Sequence, residues 1–93
     1  YNAGQDCTAA CRVYAHAAIH DRLIAELQSA IGRIAIGDPD EAGTTLGPLI
    51  TARQRDRVDG FVARAVADTP AEIVTGGTRP DRPGFYYAPT LIA

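Results

Sequence analysis

Ile19-His20-Asp21-Arg22-Leu23-Ile24-Ala25-Glu26-Leu27-Gln28-Ser29-Ala30-Ile31-Gly32-Arg33-Ile34 decides the fold class. Ile19, Leu23, Ile24, Leu27, Ile31 and Ile34 recur at helical spacing and make one apolar stripe. Arg22 and Glu26 lie one turn apart on the other side. The spacing predicts an amphipathic helix of about four turns, packed on a sheet. Just upstream, Arg12 to His16 holds Val13 and Tyr14, residues that favour a short strand.

Downstream, Gly37-Asp38-Pro39-Asp40 ends the unit, because proline lacks an N–H and restricts the residue before it. The polar stretch to Pro48, rich in Gly and Thr, reads as a loop. Thr51 with Gln54 three residues on is a capping-box signature. Val58, Phe61, Val62, Ala65 and Val66 then follow at helical spacing, so a second helix is expected to run to about Asp68. Ile73 to Thr75 suggests a strand ended by Gly76-Gly77, and Phe85 to Ile92 a last strand interrupted near Pro89. The expected order is strand, helix, helix, strand, strand, which is α/β in character. Three short strands make a thin sheet for two one-sided helices, so residues 1–93 are expected to be part of a larger fold.

The 93 residues suffice for one small domain, and 46% hydrophobic with 22% charged residues marks a globular chain. A formal charge of −2 gives no electrostatic footprint for nucleic acid. No run approaches the roughly 20 apolar residues that span a bilayer. The N-terminus shows no basic-then-apolar signal segment, and no initiating Met is present, so an internal fragment or a processed chain is expected. Two cysteines, Cys7 and Cys11, form a thin disulfide framework, and a helical i,i+4 pair sits side by side unbonded. A reducing cytoplasm is the expected location.

The chemistry concentrates in Tyr1-Asn2-Ala3-Gly4-Gln5-Asp6-Cys7-Thr8-Ala9-Ala10-Cys11-Arg12. A thiol attacks only as thiolate, whose formation must be favoured by its surroundings or by a base. If Gly4-Gln5 is a turn and Cys7 to Arg12 opens a helix, Cys7 sits where free N–H groups favour negative charge. Its own N–H then faces any oxyanion formed beside it. The alternative is a buried cysteine acting as a small hydrophobe. Cys11 reads either as a packing residue one turn away or as a resolving thiol that protects Cys7 as a disulfide. A small thiol-redox protein is a further reading, although the two-residue spacing of the usual redox motif is absent.

Other candidates read blandly. His16 and His20 have the i,i+4 spacing of zinc-binding helices, but Ala17 stands where the metalloprotease motif needs Glu and no third ligand follows. No metal is expected. Gly76-Gly77 lacks the spacing and the Lys of a phosphate loop. Arg53, Arg55, Arg57 and Arg64, mixed with Asp56 and Asp59, read as a solvated helix face.

Asn2-Ala3-Gly4-Gln5-Asp6-Cys7-Thr8-Ala9 followed by Arg12 resembles the active-site cysteine signature of the NAD(P)-dependent aldehyde dehydrogenases. The helix from about Ile19, Gly37-Asp38-Pro39, Gly47-Pro48-Leu49, Gly76-Gly77 and Tyr87-Ala88-Pro89-Thr90-Leu91 follow in the same order and spacing. The resemblance covers essentially the whole chain. It implies the first part of a catalytic domain, with Cys7 as the nucleophile that attacks an aldehyde carbon. It implies that the thiohemiacetal gives hydride to NAD or NADP and that water hydrolyses the thioester. Residues 1–12 look especially like the γ-aminobutyraldehyde and betaine aldehyde dehydrogenases. Asp6 is thereby a candidate contact for a cationic substrate tail, with a helix-capping role as the alternative.

The same resemblance implies parts that no position here matches: a dinucleotide-binding domain, a general-base glutamate, an oxyanion-hole asparagine, a second cofactor-contacting glutamate and oligomerisation strands. The expected partners are a small-molecule aldehyde, the nicotinamide cofactor and further copies in a homo-oligomer. Residues 1–93 alone are expected to be inactive and, with their apolar stripes exposed, loosely packed or prone to aggregate. The opposing reading is a non-catalytic remnant with at most a protein-association role.

Overall fold

The structure is a computed structural model, and it describes residues 2–93. In chain order it has a short 3-10 turn at Asn2–Gly4, helix α1 at Ala17–Ile31, helix α2 at Ala52–Asp68, strand β1 at Ile73–Thr75 and strand β2 at Leu91–Ile92. Tyr1, the first residue of the cysteine segment, lies outside the described residues.

Helix α1 forms on the stripe that the sequence marks, with both ends shifted toward the N-terminus. His16 is extended at φ −64°, ψ 140°, and its Nδ1 accepts from the Ala18 N–H at 3.1 Å. That bond satisfies one of the donors a first turn leaves without a partner. At the other end the Gly32 N–H donates to Gln28 O at 3.0 Å. Ile34 lies beyond the helix, in a turn where its N–H donates to Ile31 O at 3.0 Å. It still shares the half-buried side with Leu23, Ile24, Leu27 and Ile31, whereas Ile19 is exposed.

Helix α2 begins where the capping signature places it. Thr51 Oγ1 accepts from the Gln54 N–H at 3.1 Å. Its end follows from Pro70, which restricts Thr69 to an extended backbone at φ −137°, ψ 165°. Val58, Val62 and Ala65 are half-buried, but Phe61 stays 54% exposed between Arg57 and Arg64.

β1 and β2 pair antiparallel, Ile73 opposite Ile92 and Thr75 opposite Leu91, with a bulge between. Glu72 and Ala93 extend the ladder by exchanging both backbone bonds, at 2.7 and 3.1 Å. Gly76 follows β1 at φ 81°, and a Cβ there would stand 2.1 Å from Pro89 O, so only glycine lets the two segments approach. Gln28 Nε2 donates to Val74 O at 3.2 Å and docks α1 on β1. A parallel bridge between Ile36 and Leu46 closes the loop after α1.

Two expected strands are corrected. Arg12 to His16 is coil, with Val13 62% and Tyr14 87% exposed. A strand needs a neighbour's donors and acceptors, and among the described residues none pairs with this segment. Phe85 to Ile92 is strand only at its last two residues, Leu91–Ile92. Tyr86 and Tyr87 are both buried although adjacent, which breaks the alternation of a strand, and Pro89 lacks a ladder donor. The observed order is helix, helix, strand, strand.

The most buried large side chains, Leu49, Tyr86 and Tyr87, come from the connections rather than from the helices. Tyr87 Oη donates to Asp59 Oδ1 at 3.0 Å, and Arg79 Nη2 donates to Asp59 Oδ2 at 2.6 Å. Arg79 also lies 3.1 Å from Asp56. The acidic positions of α2, read from sequence as solvated, therefore hold the 79–87 segment against the helix. The chain exposes 6801 Å², against about 5,200 Å² for a compact monomer of 9.8 kDa. Much apolar surface is left uncovered.

Candidate functional site

Cys7 occupies the corner of a turn. The Ala9 N–H donates to Asp6 O at 3.1 Å, which closes the turn over Asp6 to Ala9. Asp6 Oδ1 accepts from the Thr8 N–H at 2.7 Å and from the Thr8 hydroxyl. Asp and Thr here satisfy the local backbone themselves, and that arrangement competes with helix formation. So the helix expected to open at Cys7 is absent, and the nearest one starts at Ala17. Cys7 gains nothing from a helix dipole. Asp6 is half-buried and braces a turn rather than capping a helix. Among the described residues Cys7 and Cys11 are both exposed free thiols.

The turn is anchored from upstream. Asn2, Ala3 and Gly4 are all left-handed, at φ 55°, 52° and 71°. Such a backbone costs an alanine on the order of 1–2 kcal/mol and persists only where its surroundings hold it. Gln5 supplies the hold. Its N–H donates to Asn2 O at 3.0 Å, and its Oε1 accepts from the Ile50 N–H at 2.9 Å. The Asn2 and Gln5 side chains each also bond the other's backbone carbonyl at 3.3 Å. An open groove of about 660 Å³ runs beside this junction, lined by Asn2, Gln5, Pro48, Leu49, Ile50 and Phe85 among others. Sequence reading missed Gln5, because a bond to a residue 45 positions away leaves no local signal.

The other singled-out residues stay apart from this turn. His16 caps α1, and His20 Nδ1 lies 3.0 Å from the Asp21 carboxylate. Among the described residues no group of three His, Cys, Asp or Glu is placed to hold a metal. The perturbed groups form the α2 network. The Arg79 hydrogen bond holds the Asp59 carboxyl below its usual value. Burial, then the bond to Asp59, pushes Tyr87 up to about 12. The bond to Asp59 raises Arg79 in turn.

Dinucleotide phosphates sit where a strand turns through glycines into a helix N-terminus. Among the described residues no strand leads into a helix, and Gly76-Gly77 follows β1 into coil. These residues do not fit a dinucleotide cradle. No helix among them is long and apolar enough to cross a membrane.

Comparison with known proteins places the chain. The profile of the Aldehyde dehydrogenase family matches residues 1–93. Succinate-semialdehyde dehydrogenase [NADP(+)] of Mycobacterium leprae is 43% identical over 91 residues, which are 98% of this chain and 20% of that protein. Betaine aldehyde dehydrogenase of Bacillus subtilis is 39% identical over 97 residues, covering 100% of this chain and 20% of its own length. Among solved structures, Staphylococcus aureus betaine aldehyde dehydrogenase, in complex with NAD+ and with a BME-modified cysteine, superposes at TM-score 0.91. It is 33% identical and covers 98% of this chain and 19% of its own. Lactaldehyde dehydrogenase from Escherichia coli gives TM-score 0.92 at 38% identity, with 98% of this chain and 19% of that chain covered. The chain spans about a fifth of the length of the curated relatives it matches. The chain belongs to the aldehyde dehydrogenase family.

Proposed function

We propose that residues 1–93 are the first part of the catalytic domain of an aldehyde-oxidising enzyme in which Cys7 is the nucleophile. The observation that carries the reading is the exposed Cys7 thiol at the corner of a turn braced by Asp6, Thr8 and Gln5, in a chain of this family. Sγ adds to the aldehyde carbon, which becomes a tetrahedral thiohemiacetal. The Cys7 N–H, which the Asp6–Ala9 bond does not use, is the donor we place beside the oxygen that gains charge. The oxidant is NAD or NADP, as the names of the relatives and neighbours suggest, held by residues other than the described ones. One neighbour carries a BME-modified cysteine, an adduct that marks a reactive, accessible sulfur in that protein.

Asp6 bears on the substrate. The relatives' names divide between an aldehyde with a carboxylate tail, succinate semialdehyde, and one with a quaternary ammonium, betaine aldehyde. A carboxylate next to the nucleophile attracts a cationic tail and repels an anionic one. We assign an ω-aminoaldehyde or a trimethylammonium aldehyde as the substrate class. In the full-length protein, Cys7→Ala is expected to lower aldehyde turnover by roughly 10³-fold or more. Asp6→Asn is expected to shift preference from amino toward plain aliphatic aldehydes. Retained turnover in the first variant removes the nucleophile, and unchanged preference in the second removes the charge reading.

A further inference from the structure

We propose that Asp59 and Tyr87 are positioning residues for Cys7, acting through the Phe85–Leu49 and Ile50–Gln5 hydrogen bonds. The proposal rests on the reading of Cys7 as the nucleophile and carries its support from the turn into the segments behind it.

Each link has a distance. Arg79 Nη2 donates to Asp59 Oδ2 at 2.6 Å, which leaves Oδ1 to accept the Tyr87 hydroxyl at 3.0 Å. Two residues before Tyr87, the Phe85 carbonyl accepts the Leu49 N–H at 3.0 Å. The next residue, Ile50, donates its N–H to Gln5 Oε1 at 2.9 Å. Gln5 stands two residues before Cys7, and its own N–H closes on Asn2 O at 3.0 Å. The path from the α2 carboxylate to the cysteine turn therefore alternates hydrogen bonds with at most two residues of main chain.

The path is also stiff. Thr51 caps α2 through the Gln54 N–H, and Asp59 lies about two turns further along the same helix. Helix α2, Tyr87, Phe85, Leu49 and Thr51 thus form a closed circuit, which the Tyr87–Asp59 bond completes. Between Phe85 and Tyr87, the Tyr86 ring lies under the Arg82 guanidinium at 4.5 Å, and Arg82 Nη1 donates to Ile36 O at 2.9 Å. Leu49, Tyr86 and Tyr87 are only 7%, 5% and 8% exposed. Further chain packed around them covers more of them and uncovers none. Close-packed groups pass a displacement on rather than absorb it. With the Tyr87 bond broken, Phe85 and Leu49 lose one of their two tethers, and Gln5 follows Ile50. A nucleophile displaced by a fraction of an ångström loses rate without losing substrate affinity.

A double-mutant cycle in the full-length protein tests this. Tyr87→Phe keeps the packed ring and removes only the donor, and Asp59→Ala breaks the same bond from the other side. Asp59→Asn keeps an acceptor for the hydroxyl. Each is made alone and with Gln5→Ala, and mixed with an aliphatic aminoaldehyde and nicotinamide cofactor. The first-turnover rate of reduced-cofactor formation is read at saturating aldehyde, together with the half-saturating concentration. Tyr87→Phe and Asp59→Ala should each lower that rate by roughly three- to tenfold with half-saturation little changed, and Asp59→Asn should recover most of it. In the Gln5→Ala background the same substitutions should cost less than about twofold, because the link they act through is already gone. A wild-type rate in both Tyr87→Phe and Asp59→Ala overturns the proposal. So do losses that multiply with that of Gln5→Ala, since a bond that only stabilises the fold acts independently of Gln5. Retained turnover in Cys7→Ala removes the nucleophile itself, so the two failures are read from different proteins.

Discussion

Gln5 Oε1 accepts the Ile50 N–H at 2.9 Å, and this bond joins the cysteine turn to the segment that leads into α2. It spans 45 residues of sequence and stands one residue before the Thr51 cap. Removing the acceptor should release the left-handed Asn2–Gly4 backbone and let the Cys7 turn move. Gln5→Ala is expected to cost about 1 kcal/mol of stability in urea unfolding and to lower kcat several-fold with KM little changed. Gln5→Glu keeps an acceptor for Ile50 and should recover most of kcat. Equal losses in both variants would show that the bond does not position the turn.

The network of Asp59, Arg79 and Tyr87 makes stability depend on pH in two separate windows. Tyr87 is raised in the fold to about 12, so its protonated form is favoured there. Its contribution is whole below the ordinary tyrosine range near 10 and is lost as pH climbs through about 12. Asp59 is lowered, so its contribution is present above the ordinary carboxylate range and is lost as pH falls through its lower folded value. Tyr87→Phe should cost about 1 kcal/mol near neutrality and flatten the alkaline decline. Urea unfolding at pH 7, 9 and 11 checks this, and parallel declines in the two proteins would contradict it.

Gly76 tolerates no side chain. Its φ of 81° and the 2.1 Å approach of a Cβ to Pro89 O combine backbone strain with a clash against main chain. Gly76→Ala is expected to destabilise by about 2–4 kcal/mol and to loosen the β1–β2 pair. Hydrogen exchange at the Glu72 and Ala93 amides reports on that pair, and wild-type protection in the variant would refute the expectation.

Residues 1–93 on their own should bind a hydrophobic dye and unfold over a broad range. The cause is the uncovered surface, which includes Val13, Tyr14, Ile50 and Phe61. Dye fluorescence and calorimetry on the 93-residue chain check it. A sharp two-state transition without dye binding would contradict it.

Legibility in the sequence followed the range of the interactions. The stripe from Leu23 to Ile31, the Thr51 cap and the 73–75 strand are settled by near neighbours, and the structure places them where the residues point. The 12–16 strand finds no partner among the described residues, although Val13 and Tyr14 favour extended backbone. The helix at Cys7 failed because Asp6 and Thr8 outcompete it locally, a contest that helical spacing alone does not reveal. The Gln5–Ile50 and Asp59–Tyr87 bonds join distant positions through ordinary polar residues, so nothing in the sequence marks them. Cys7 was legible as chemistry, but its support was not.

Acyl trapping tests the central claim most directly. The full-length protein is mixed with an aminoaldehyde and nicotinamide cofactor, quenched in acid within the first turnover, and digested at arginine. The peptide ending at Arg12 should carry the acyl group of the substrate on Cys7, and the Cys7→Ala protein should carry none. An acyl group found on a different peptide, or on Cys11 with Cys7 free, would contradict the assignment of Cys7 as the nucleophile.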